Sequence, residues 1–409
     1  MRGGYPMEIM NRMRNLIIGL ILLSSVVQAQ FVISSRRVAE VSKAYEPVAG
    51  EPTQKCEISP IKPTLNYGFR YQAGYTMRTS MTDYVGKGHR LFLMTRITPE
   101  AGEQKPVYMG QAFRLGEIPN NKSDMEIGGG YILGPGRYQV AWMLIDDSNR
   151  VCRKKWSIQV PETAKVKLAI PPNTVTDMTL RGIPRLNRED EDTRKLRLTV
   201  LLHATPLSSR RQTLRSSDEV MLLSTLSSLL ERIRSTSVKL VVFNLEKREQ
   251  IYSKDSFRIS DLEQVDDAIN KIQLGMVDYK VLQEPKGHLD FLNDMLEGEL
   301  KAEQPPDLVI FLGPPARTAD KPALFELDKA AQLLPKLFYM RLEPFFYRPA
   351  MPGRPMAANR PPPPSMQMGG SNAGLPDSVS LAVKNLKGKT LTIRSPQDFA
   401  KAIEQVKAK

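Results

Sequence analysis

The sequence predicts two domains: an antiparallel β-sandwich over residues 51–162 and a doubly wound α/β domain over residues 196–409. Three observations carry this reading. Residues 51–162 break into short strand-like segments parted by Gly, Pro and Asn clusters, as in an all-β domain. Leu196-Arg197-Leu198-Thr199-Val200-Leu201-Leu202-His203-Ala204-Thr205-Pro206 is a near-continuous apolar run that stops at a polar tip. Such a run reads as a buried parallel strand, since Pro206 forbids its extension as a helix. From there helical and strand periods alternate to the carboxyl terminus, as in an open parallel sheet.

Composition sets the class. A chain of 409 residues is long enough for two cores, and 41% hydrophobic with 25% charged residues excludes a disordered protein. Residues 1–29 read as a secretory signal peptide: Arg2, Arg12 and Arg14 make a positive start, residues 16–27 an apolar core, and Val27-Gln28-Ala29 a cleavage site. The apolar run falls short of the roughly 20 residues that span a bilayer. No later segment reads as a membrane span, so the mature chain is expected in the periplasm or outside the cell. The formal charge is +14, and removing the signal's three Arg and one Glu leaves +12. That balance favours an anionic partner such as a cell-envelope component, and no nucleic-acid motif accompanies it.

The two cysteines, Cys56 and Cys152, read as a disulfide in an oxidising compartment, with two buried free thiols as the alternative. A bridge would close a loop of about 100 residues, which the chain-entropy account values at about 4–5 kcal/mol. No histidine or further cysteine stands near either one, so a zinc site is not read there.

Residues 30–50 carry few signals and are expected to be a flexible arm. Within 51–162, strands are expected near 68–76, 90–97 and 107–113. The clearest hairpin pairs 138–145 with 151–160 across the turn Asp146-Asp147-Ser148-Asn149. Tyr138, Val140, Trp142 and Leu144 share one face, as do Cys152, Trp156, Ile158 and Val160, whereas Arg153, Lys155, Ser157 and Gln159 point away. Gly134-Pro135-Gly136-Arg137-Tyr138 resembles the Gly-x-Tyr turn before a late strand of immunoglobulin-like sandwiches. His89 reads as a loop or strand-edge histidine.

Residues 163–195, with Pro171-Pro172, Pro184 and the run Arg188-Glu189-Asp190-Glu191-Asp192, read as a linker. Beyond it, Ser216-Ser217-Asp218-Glu219 reads as a capping box before Val220, Leu223, Leu226, Leu230 and Ile233 at helical spacing. Strands are expected at 238–245, 307–312 and 336–342, and helices at 262–272, 288–301 and 322–334. Residues 344–377 form a proline-rich insertion. A helix at 379–386 and a strand at 389–394 follow, and Ser395-Pro396 supplies a cap and an N1 proline for a last helix bearing Phe399, Ile403 and Val406.

This order over residues 196–409 resembles the von Willebrand factor type A fold, in the divergent vWA-related form of exported bacterial proteins. The likeness rests on the succession of elements, on the strand at 307–313, and on the closing turn Asn385-Leu386-Lys387-Gly388-Lys389-Thr390-Leu391. It implies a Rossmann-like sheet with a Mg²⁺ site at its rim, signed by Asp-x-Ser-x-Ser after the first strand, a Thr before a middle helix and an Asp after the fourth strand. Here His203 stands for the first Asp, Thr205 and Leu207 for the two Ser, Gly287-His288 for the Thr, and Gly313-Pro314 for the last Asp. The metal site is therefore degenerate, and no cofactor is expected.

The expected function is an exported, non-enzymatic interaction or scaffold protein that binds a protein or cell-envelope partner without Mg²⁺. Its candidate rim is His203, Thr205, Ser208, His288 and Gly313, with no catalytic residue assigned. The alternative is a metal-dependent hydrolase or metal-binding protein using His203 and His288 on a borderline metal such as Zn²⁺. That alternative lacks a visible nucleophile–base pair or carboxylate dyad.

Overall fold

A computed structural model of the chain describes residues 31–43, 45–46, 50–86, 88–102, 105–120, 124–162, 166–178, 196–207, 214–272, 287–316, 334–344 and 376–408. The expected signal peptide, most of the proline-rich insertion, the expected helix at 322–334 save its last residue, and Ser208 lie outside these residues. Among the described residues the chain is β-rich, with sheets of five, four and six strands. It divides into two units, Met1–Pro184 and Arg185–Lys409.

The first unit contains β1 (Phe31–Val32), α1 (Ser35–Lys43), β2 (Glu57–Leu65), β3 (Tyr71–Ser80), β4 (Arg90–Pro99), β5 (Val107–Arg114), β6 (Asp124–Leu133), β7 (Gly136–Asp146), β8 (Val151–Val160) and β9 (Val175–Thr176). Two antiparallel sheets, β1-β5-β4-β7-β8 and β2-β3-β6-β9, share one core. Alternation puts Tyr71, Tyr75 and Met77 of β3 against Leu91, Tyr138 and Trp142 of the other sheet. Tyr75 meets Trp142 edge to face at 5.6 Å. Cys56, just before β2, is bridged to Cys152 on β8, with Cα atoms 6.3 Å apart, so the disulfide ties one sheet to the other. The turn after β7 forms as its sequence dictates: Asp146 Oδ1 accepts the N–H groups of Ser148 and Arg150, and Asn149 takes φ 60°.

Two sequence expectations fail here. Residues 30–50 are not simply a flexible arm, because β1 pairs with β5 and α1 packs on the outer face of the five-stranded sheet. The reason is a second apolar face. Phe92, Met94, Met143 and Ile145 alternate with the inner residues of β4 and β7, and Ile33, Val41 and Tyr45 cover them. The linker also begins later than residue 163. Val166, Ala169 and Ile170 are buried and β9 pairs with β6, so the sandwich continues through Thr176.

Strands β2 and β6 escaped the sequence reading for physical reasons. β2 carries Pro60 and Pro63, which lack an N–H, and it is an edge strand. β6 contains Gly128-Gly129-Gly130, a run that reads as a loop. A Cβ on Gly129 would lie 2.3 Å from the Tyr75 hydroxyl, so the missing side chain makes room for that ring.

The second unit contains β10 (Arg197–His203), α2 (Ser216–Arg232), β11 (Ser237–Asn244), β12 (Glu249–Lys254), α3 (Leu262–Asn270), α4 (Gly287–Leu300), β13 (Leu308–Gly313), β14 (Lys336–Leu342), α5 (Ser378–Asn385), β15 (Lys389–Ile393) and α6 (Pro396–Lys407). The sheet order is β12-β11-β10-β13-β14-β15. β12 runs antiparallel to β11, and the other neighbours are parallel. On one face Leu201, Val241, Phe311 and Tyr339 pack against Leu292 and Leu296 of α4 and Val379 and Val383 of α5. The alternate residues Val200, Leu202, Val242, Ile310 and Met340 are buried as well. Burial on both faces explains why these strands are continuous apolar runs rather than alternating ones. Val220 is a correction to the expected helix face, since it is 51% exposed while Leu222, Leu226 and Leu229 are buried.

Candidate functional site

Parallel strands deliver their last residues to one rim, and in open α/β sheets ligands gather there. β10 ends at His203, β11 at Asn244, β13 at Gly313 and β14 at Leu342. His203 is buried, and its ring stacks on Phe243 with centroids 5.2 Å apart. Its Nδ1–H donates to the Pro314 carbonyl at 3.3 Å, and its Nε2 accepts the Leu245 N–H at 3.4 Å. That pairing fixes a neutral imidazole. Burial pushes its pKa down to about 4, against a smaller upward pull from the Pro314 carbonyl.

The surrounding backbone is locked to the same ring. Pro314 O also accepts the Tyr339 hydroxyl at 2.9 Å. Burial holds that phenol well above its ordinary range. Gly313 has φ 150°, and a Cβ there would lie 2.8 Å from both Cβ and O of His203. Only glycine lets β13 pass so close. Asn244 closes the neighbouring turn, with Nδ2 donating to Ala204 O at 2.7 Å and Oδ1 accepting the Lys247 N–H at 2.8 Å.

Of the predicted rim, the structure brings together His203 and Gly313, with Thr205 buried two residues on. His288 opens α4, but neither ring nitrogen of His203 is bonded to it. The expected convergence of two histidines on one metal therefore meets a specific obstacle: both His203 nitrogens already serve backbone groups. The Mg²⁺ site implied by the family resemblance does not fit either. An imidazole, a glycine and a proline stand where a hard cation needs carboxylate oxygens. Among the described residues, no group of three His, Cys, Asp or Glu side chains is placed to hold a metal ion.

A second cluster on this rim was missed by the sequence reading. The Arg341 guanidinium donates to Thr392 Oγ1 at 3.0 Å, and faces Glu343 at 3.4 Å and Asp377 at 3.7 Å. Arg394 reaches Glu343 from β15's end at 3.9 Å. Asp377 caps α5, accepting the Ser380 hydroxyl at 2.8 Å and the Ala316 N–H at 3.2 Å. Burial raises the Asp377 pKa, against the pull of Ser380 and Arg341. Its one local signal was an Asp two residues before the expected helix at 379. The cluster joins residues on both sides of the insertion. Elsewhere, a shallow depression of about 420 Å³ in the first unit is lined by Lys55, Glu57, Arg78 and Asp124 beside the disulfide.

No family profile and no curated protein matches the chain. Among solved structures, one described as the ApaA protein of Bordetella pertussis is 16% identical, covering 28% of this chain and 98% of its own, with a TM-score of 0.19. The sporulation control protein Spo0M of Bacillus subtilis is 10% identical over 27% of this chain and 50% of its own, at 0.14. A glycosyl hydrolase family 2 member from Bacteroides cellulosilyticus is 14% identical over 70% of this chain but 36% of its own, at 0.18. Similarity this low carries no argument about fold or function. Among the described residues, no helix is long and apolar enough to cross a membrane.

Proposed function

We propose that the chain is an exported, non-enzymatic interaction or scaffold protein, built from an immunoglobulin-like sandwich and a divergent vWA-related domain with a retired metal site. The observation that carries this reading is His203. Where the resembled family places a metal-binding carboxylate, this chain has a buried neutral imidazole with both nitrogens engaged by backbone. Strand order supports the doubly wound assignment: numbered within its own sheet, the order is 3-2-1-4-5-6, with the third strand antiparallel at the edge. The sandwich assignment draws on Tyr138, whose hydroxyl donates back to Gly134 O at 2.8 Å in the manner of a tyrosine corner. The disulfide and the expected signal peptide favour an oxidising compartment, the periplasm or the exterior. A rim without metal recognises its partner through surface and charge, and the chain's formal charge of +14 directs that partner toward a protein or an anionic cell-envelope component.

The test is thermal unfolding of the mature protein with EDTA, then with millimolar Mg²⁺, and with Zn²⁺ at stoichiometric and tenfold excess. A ligand that binds only the folded state raises its stability by RT ln(1 + [L]/Kd). The expected result is no change in the second unit's midpoint with either ion. A rise of several degrees with Mg²⁺ would overturn the retired-site reading, and a rise with Zn²⁺ that is lost in His203→Asn would revive the metal-dependent alternative.

A further inference from the structure

Sheet edges decide which surfaces can add a strand. In the first unit, β1 and β9 are two residues long, and β2 is interrupted by Pro60 and Pro63. β8 is different. It is ten residues long, it closes the five-stranded sheet, and β7 covers only one of its sides. On the other side Val151 is held by Pro52 and Gln54, and from Lys154 to Val160 no strand pairs with it among the described residues. An unpaired edge of this length presents a row of backbone donors and acceptors to any extended chain.

The side chains select the occupant. Arg153 is tied to Glu51 at 2.8 Å. Lys154 and Lys155 are exposed and lie in register with Trp142 and Ala141 of β7. Successive residues point to opposite faces, so the two ammonium groups flank the edge from above and below. They make no ion pair among the described residues. A second copy's β8 would bring four like charges together, and an apolar strand would strip water from both lysines. An acidic strand satisfies the ladder and the charge at once. A lipid or polysaccharide supplies the charge but no matching ladder of N–H and C=O groups.

We propose that the free edge of β8, from Lys154 to Val160, receives an extended acidic segment of another protein by strand addition. This surface is separate from the rim of the second unit, so the inference stands or falls without the proposal made there.

The probe is a fluorescein-labelled ten-residue peptide of Glu-Glu pairs set between Val-Val pairs, which puts carboxylates on both faces of the added strand, capped at both ends and titrated into the full-length, disulfide-intact protein. A control peptide of equal charge carries Pro at alternate Val positions. The Glu–Val peptide is expected to bind at least tenfold more tightly than the control, and to slow amide hydrogen exchange within residues 154–160. Lys154→Glu with Lys155→Glu should weaken it at least tenfold, while Lys62→Glu on β2 leaves it unchanged, with circular dichroism confirming the fold of each variant. Absence of binding, equal affinity for the two peptides, insensitivity to the β8 charge reversal, or no new protection at 154–160 would each overturn the proposal.

Discussion

A buried imidazole that stays neutral makes the second unit's stability depend on pH, and the sign follows from where its proton can go. His203 has a folded-state pKa near 4, below the value of about 6.5 expected once unfolded. Above about pH 6.5 both states hold a neutral ring and nothing is lost. As pH falls from there to about 4, the unfolded chain takes up a proton that the folded ring refuses, and stability declines by roughly 3 kcal/mol. Asp377 acts in the opposite sense, because a raised carboxyl pKa favours the folded state on acidification. The comparison must therefore be between wild type and His203→Asn, each unfolded by denaturant at pH 7 and pH 4. The wild-type second unit should lose roughly 3 kcal/mol more over that interval than the variant; equal losses would mean that the ring takes up a proton inside the fold. The position of His203 at a strand end was legible in the sequence, because an apolar run stops there before Pro206. Its role was not, since its partners Leu245 and Pro314 stand 42 and 111 residues away along the chain.

Elements were readable to the extent that their pattern was local. Ser395 and Pro396 announced α6, and Ser395 Oγ does accept the Asp398 N–H at 3.2 Å. β14 was equally plain as a run of apolar residues, and it spans Lys336–Leu342. β12 was not, because its exposed Glu249 and Gln250 lack a buried face and it forms as the antiparallel partner of β11. The base of the insertion was legible in the sequence only as a change in composition. In the structure, Arg341 faces Glu343 before it and Asp377 after it, and the Ser378 N–H donates to Ala316 O at 2.9 Å. These contacts join the two ends of the insertion. Replacing 345–375 with a short Gly/Ser linker should therefore leave the second unit folded, within about 1 kcal/mol by denaturant unfolding, because loop-closure entropy changes slowly with length. Adding Arg341→Ala to the shortened chain should cost more, about 1–3 kcal/mol, by leaving the buried Asp377 carboxylate without its cation. A shortened chain that fails to fold would place essential contacts inside the insertion.

At the scale of the whole molecule, the covalent and spectroscopic markers are all in one unit. Cys56, Cys152, Trp142 and Trp156 lie in the first unit, and the second has no cysteine or tryptophan. The bridge joins two sheets across 96 residues of sequence. Opening it enlarges the unfolded ensemble of the first unit, which the chain-entropy account puts at about 4–5 kcal/mol, and leaves the second unit's ensemble unchanged. A domain of this size moves by about 2–4 °C for each kcal/mol, so reduction should lower the first unit's midpoint by roughly 10–15 °C. Tryptophan fluorescence sees only that transition, while far-ultraviolet circular dichroism sees both. On adding a reductant, the fluorescence midpoint should fall and the remaining dichroism transition should stay in place. If the two move together, the units unfold as one cooperative body and the division into two is only geometric. If neither moves, the bridge constrains a segment already held by the sheets, and the stability of the sandwich rests on its aromatic core alone.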